Sequence, residues 1–142
     1  MALERTSSAR WEGNLKEGKG QLELGSGLYS GPYNFVSRFE SGDETNPEEL
    51  IAAAHAACFS MQLSADLARE GHAPQSVATD ATVTLDPGQG RITTIHLMVR
   101  GSVPGIDADT FRTFAEGAKQ NCIVSKALAG ADEITLDATL ES

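Results

Sequence analysis

The chain has 142 residues, 40% apolar and 22% charged, proportions that suit one folded domain with a single core. Its formal net charge of −9, with Lys and Arg dispersed, argues against the basic face that nucleic-acid phosphates require. No apolar run approaches the roughly 20 residues that span a bilayer. The start, Met1-Ala2-Leu3-Glu4-Arg5, also lacks the basic and apolar regions of a secretory signal. The expectation is one cytoplasmic domain over residues 1–142, with no membrane partner.

In chain order, Arg5 to Glu12 reads as a weak strand, Gly20 to Leu24 as a better one and Tyr33 to Phe39 as a third, with Gly-rich turns between the last two. Thr45-Asn46-Pro47-Glu48-Glu49 is the clearest signal. Asn46 suits an N-cap, Pro47 the first helical position, and Glu49 stands three residues after the cap. The helix that follows meets no Gly or Pro before Gly71, which gives about 24 residues, or roughly 36 Å. Leu50, Ala54, Ala57, Cys58, Met61 and Ala65 fall on one broad face, and a helix so small-sided and apolar is expected to be enclosed by other elements.

Val77 to Leu85 alternates cleanly, Asp86-Pro87-Gly88-Gln89-Gly90 makes a turn, and Ile92 to Val103 returns as a long strand. Asp107 or Asp109 caps a helix to about Gln120. Asn121 looks like a second cap, opening a short helix from Cys122 to Ala129. Ile134 to Leu140 alternates as a last strand. The order βββ-α-ββ-αα-β, with strands and helices in runs, predicts an α+β fold with a mostly antiparallel sheet around a long central helix.

The two cysteines, Cys58 and Cys122, carry the open question, because a cytosolic pair is seldom a permanent staple. Cys58, mid-helix among small residues, has the plain reading of a buried small hydrophobe. Cys122, in a first helical turn, would be the more acidic thiol on local electrostatics alone. Arg38 is the candidate cation for Cys58, although strand alternation beside Val36 fits a snorkelling side chain as well. Glu49 fits a capping box and fits equally a carboxylate that orients an Arg guanidinium. Glu49 and Cys58 lie nine residues apart, so Arg38 would have to bridge them. His55 shares a helix face with Cys58, but His55, Cys58 and Cys122 make only a three-ligand partial zinc site. A Cys–His hydrolase would need an oxyanion motif that is not there.

The segment from Asn46 to Met61, Asn-Pro-Glu-Glu-Leu-Ile-Ala-Ala-Ala-His-Ala-Ala-Cys-Phe-Ser-Met, closely resembles the central helix motif of the OsmC/Ohr family. The tail Cys122-Ile123-Val124-Ser125 resembles that family's Cys-Pro-Val-Ser, with Ile123 in place of the proline. Gly31-Pro32-Tyr33 and Ser37-Arg38-Phe39 look more like the OsmC branch than the Ohr branch. The resemblance spans essentially the whole chain. It implies an intertwined homodimer with two active sites at the subunit interface, Cys58 as peroxidatic cysteine and Cys122 as the resolving one. It implies that Arg38 activates the thiolate and Glu49 positions Arg38. The activity it implies is reduction of organic hydroperoxides ahead of hydrogen peroxide. No prosthetic cofactor would be needed, and an external dithiol of lipoyl or similar type would be the reductant. The competing readings are a redox sensor and a nonenzymatic binding protein using the same cysteine pair.

Overall fold

A computed structural model describes residues 1–141. It contains two compact units, Met1–Leu50 and the residues from Ile51 onward. The first unit holds β1 (Ser7–Glu12), β2 (Lys19–Leu24), β3 (Ser30–Tyr33) and the short helix α1 (Phe35–Phe39). Its strands form an antiparallel sheet in the order β1-β2-β3. Trp11 and Tyr33 meet across that sheet with ring centroids 5.5 Å apart. Gly20 lies between them, where a Cβ would come within 2.5 Å of the Tyr33 ring.

The third strand is therefore shorter than the alternation of Phe35, Ser37 and Phe39 predicts, and residues 35–39 are helical. Asn34 is the cause. Its side chain accepts the Ser37 N–H while the Ser37 hydroxyl accepts the Asn34 N–H, a closed capping box. Aromatics four apart also meet on a helix, and Phe35 and Phe39 stack with centroids 4.9 Å apart. The observed order is thus βββ-αα-ββ-αα-β.

The long helix α2 (Pro47–Arg69) crosses from the first unit into the second, which also contains β4 (Ser76–Asp86), β5 (Arg91–Ser102), α3 (Ala108–Asn121), α4 (Ile123–Ala127) and β6 (Glu133–Glu141). β4 and β5 form the expected antiparallel hairpin. β6 then returns parallel to β5, because α3 and α4 make the crossover between them. Three of the four ladders are antiparallel. α3 starts at Asp107, whose side chain accepts the Thr110 N–H at 2.8 Å.

The core of this unit joins Phe59, Leu63 and Leu67 of α2, Leu97 and Val99 of β5, and Phe111, Ala115 and Ala118 of α3. Gly101 of β5 makes room for Phe111, since a Cβ there would meet the ring at 2.4 Å. The core stripe of α2 is not the face expected from its small residues. His55, Phe59, Leu63 and Leu67 are buried, whereas Ala54, Ala57, Met61 and Ala65 are exposed. α2 is long and apolar enough to cross a membrane by length and composition, but its Phe59–Leu67 stripe is built into this core.

Candidate active site

Cys58 sits halfway along α2 and Cys122 at the junction between α3 and α4, 64 residues later, and their sulfurs are 3.1 Å apart. A disulfide would bring them to about 2.05 Å, so these are free thiols already in contact. Cys58 is half-buried and Cys122 fully buried.

The junction differs from the expected helix start. Asn121 is the last residue of α3 rather than a cap, and Cys122 closes α3 by donating its N–H to the Ala118 carbonyl at 2.8 Å. Cys122 in turn precedes the five-residue α4, whose first turn begins at Ile123. Its thiol is not the acidic one anticipated. Burial pushes it up, the backbone N–H of Ser125 acts against that, contact with Cys58 raises it again, and the Ser125 hydroxyl and Val124 N–H lower it. Loss of water around the sulfur outweighs the local donors.

A third component was only half legible in the sequence. His55, three residues before Cys58, is fully buried, and its Nε2 lies 2.7 Å from Oγ of Ser125, three residues after Cys122. Burial lowers the His55 pKa, which keeps the imidazole neutral. The spacing His-x-x-Cys was visible on α2, but only the fold reveals that Cys-x-x-Ser supplies its partner.

In the first unit, Arg38 belongs to α1 and is fixed by a bidentate pair. Its Nε and Nη2 donate to Oε1 and Oε2 of Glu48, each at 3.1 Å. The carboxylate that holds Arg38 is thus Glu48 rather than the expected Glu49. Helix geometry explains the substitution, because successive side chains turn by roughly 100° about the axis. Glu49 is exposed and accepts a hydrogen bond from the Thr45 hydroxyl at 2.6 Å, while its backbone N–H is capped by Asn46 Oδ1 at 2.8 Å. Glu48, one step earlier, is buried and aimed at α1. The guanidinium carbon also lies 5.2 Å from the Phe39 ring centroid. Arg38 lines a mostly apolar cleft of about 420 Å³ with Trp11, Leu15, Tyr33, Phe35 and Phe39.

Among the described residues, no group of three or more His, Cys, Asp or Glu side chains is placed to hold a metal ion. The second unit offers two thiols in contact and a buried imidazole–hydroxyl pair, and the first unit, taken by itself, a fixed guanidinium.

The chain is similar to known proteins. Residues 40–137 match the sequence model of the family described as OsmC-like protein. The chain is 48% identical over 145 aligned residues to Peroxiredoxin OsmC of Escherichia coli (strain K12), with 100% of both chains covered. It is 36% identical over 96 residues to the Organic hydroperoxide resistance protein of Xanthomonas axonopodis pv. citri (strain 306), with 67% of each covered. The crystal structure of an OsmC like protein from Mycoplasma pneumoniae matches 100% of both chains with a TM-score of 0.75 at 13% identity, which shows a shared fold. Sequence and fold agree, and the chain belongs to the OsmC family.

Proposed function

We propose that the chain is a thiol-dependent peroxidase, an oxidoreductase that reduces organic hydroperoxides and, more weakly, hydrogen peroxide. The observation that carries this reading is the 3.1 Å contact between Cys58 and Cys122. The relatives named for peroxiredoxin activity and organic hydroperoxide resistance support it.

In the first step the Cys58 thiolate attacks one peroxide oxygen. The O–O bond breaks, the alcohol leaves with a proton, and Cys58 becomes a sulfenic acid. Cys122 then attacks the Cys58 sulfur. The S–S bond forms, the S–O bond breaks, and hydroxide departs as water with the proton that Cys122 gives up. An external dithiol, of lipoyl type or another small dithiol, reduces the disulfide by exchange and restores both thiols. No prosthetic group takes part.

Arg38 supplies the positive charge that stabilises the Cys58 thiolate, and Glu48 holds the guanidinium in one orientation, the task expected of Glu49. The bidentate geometry supports this assignment, because two parallel N–H···O bonds fix the guanidinium plane as well as its position. The working unit is a homodimer, and the compartment is the cytoplasm, where a reducing poise returns both thiols between turnovers.

Peroxide consumption by wild type, Cys58→Ser and Cys122→Ser tests the reading, with cumene hydroperoxide or hydrogen peroxide and dihydrolipoamide present. Cys58→Ser is expected to abolish consumption, and Cys122→Ser to allow one oxidation per chain without sustained turnover. A wild-type protein that oxidises once and then stops, dithiol notwithstanding, would be a sensor rather than a peroxidase.

A further inference from the structure

We propose that His55 and Ser125 are a positioning pair for the second thiol: the imidazole orients the Ser125 hydroxyl toward Cys122 Sγ, and the hydroxyl steadies that sulfur as it loses its proton to attack Cys58. This rests on the resolving role given to Cys122 above.

The geometry begins with an orphan. His55 Nε2 meets Ser125 Oγ at 2.7 Å, whereas His55 Nδ1 is buried with no partner. A buried N–H without an acceptor is rarer in folded proteins than an unfilled lone pair. The ring proton therefore belongs on Nε2, where it is donated to the Ser125 oxygen, and Nδ1 keeps its lone pair. An oxygen that already accepts from the imidazole has its own proton free for another acceptor. Ser125 stands three residues after Cys122, the N-cap residue of α4, so its hydroxyl lies one turn on; the Cys122 thiol makes no side-chain cap hydrogen bond, and the contact proposed is one that forms as the sulfur ionises.

The chemistry needs such a device. Cys122 is fully buried against Cys58, where water cannot stabilise a thiolate. Burial raises its pKa and the Ser125 donors act in the opposite direction. A neutral imidazole anchors the hydroxyl without placing a second uncompensated charge in the site, and burial favours that neutral form. The charged groups near Ser125 are Lys119 of α3, Lys126 of α4, Asp132 and Glu133, which line one open groove with it. Lys119 is paired with Glu116, and Asp132 with Arg91. From α2, the titratable groups are His55 itself and Cys58. The pair carries out no net proton transfer, since the proton of Cys122 leaves in the water formed from the Cys58 hydroxyl.

The test reads Cys122 alone. In a Cys58→Ser background, the ultraviolet absorbance of the thiolate is followed against pH for Ser125→Ala, Ser125→Thr, His55→Leu and His55→Gln. Ser125→Ala and His55→Leu are expected to raise the Cys122 midpoint by about one pH unit, the loss of one hydrogen bond to a charged group. Ser125→Thr keeps the hydroxyl and His55→Gln keeps a donor near Nε2, so both should stay close to the parent. In the two-cysteine protein, the Cys58 sulfenic acid trapped by dimedone should persist roughly tenfold longer in Ser125→Ala at neutral pH. That deficit should close at alkaline pH, where Cys122 ionises unaided. Midpoints that do not separate Ala from Thr and Leu from Gln would overturn the pair, whatever the peroxidase assay shows. Separated midpoints in a wild type that consumes no peroxide would overturn the peroxidase reading and leave the pair standing.

Discussion

Glu48 and Glu49 are adjacent, identical in type and both in the first turn of α2, yet they meet different partners. Glu48 is buried and receives both arms of the Arg38 fork, while Glu49 is exposed and receives a Thr45 hydroxyl. The Arg38 side chain is itself 40% exposed, so the pair contributes little to folding, at most about 1 kcal/mol. Its value is directional. Glu48→Gln is expected to lower the catalytic efficiency with cumene hydroperoxide by about tenfold or more, because one amide cannot accept two charge-assisted bonds. Glu49→Gln should lie within about twofold of wild type, since it loses only an exposed acceptor worth a few tenths of a kcal/mol. Equal losses in the two variants would show that the guanidinium is oriented by some other group. The sequence could not separate these neighbours. A capping box draws attention to the third helical position, and only the place of α1 in the first unit shows which carboxylate it faces.

Elements were legible in proportion to how local their causes are. The start of α2 is written in Asn46-Pro47, and β4 and β6 in alternations that the partial burial of Val77 and Leu136 follows. α1 was not legible, because two-residue alternation and four-residue helical spacing coincide at Phe35 and Phe39, and the decision falls to the Asn34–Ser37 box. The core face of α2 was missed for a related reason. Small side chains line both sides of this helix, so only the larger Phe59, Leu63 and Leu67 mark the inner one. Asn46 joins α1 to the first turn of α2: its Oδ1 accepts from the Glu49 N–H at 2.8 Å and its Nδ2 donates to the Ser37 carbonyl at 2.7 Å. Asn46→Ala loses the cap and the cross-link together and should cost about 1–2 kcal/mol in a denaturant titration. Asn46→Asp keeps the cap, loses only the donor, and should fall between Ala and wild type. If Asp were as damaging as Ala, the contact to α1 would outweigh the cap.

At the scale of the whole molecule, α2 leaves an apolar stripe uncovered on the side opposite its core face. Ala53, Ala57, Met61, Ala65 and Ala68 are exposed at spacings of three and four, with Met61 at 74%. A continuous apolar stripe on an otherwise acidic chain is costly to leave in water. The net charge of −9 opposes self-association, so burial must outweigh repulsion if two copies meet here. Complete burial of a methionine contributes about 1.5–3 kcal/mol, and a two-fold interface buries each residue of the patch twice. Small side chains also let two backbones approach closely. Light scattering is expected to give twice the chain mass for wild type, with a melting temperature that rises with protein concentration, as two-chain unfolding requires. Met61→Glu sets two carboxylates into the same patch and should shift the mass toward one chain. Gln89→Glu, which adds the same charge at the exposed β4–β5 turn, should not. If both variants dissociated the dimer equally, general charge repulsion rather than the α2 stripe would govern assembly. A wild type with the mass of one chain at every concentration would leave the stripe without the second copy assigned to it.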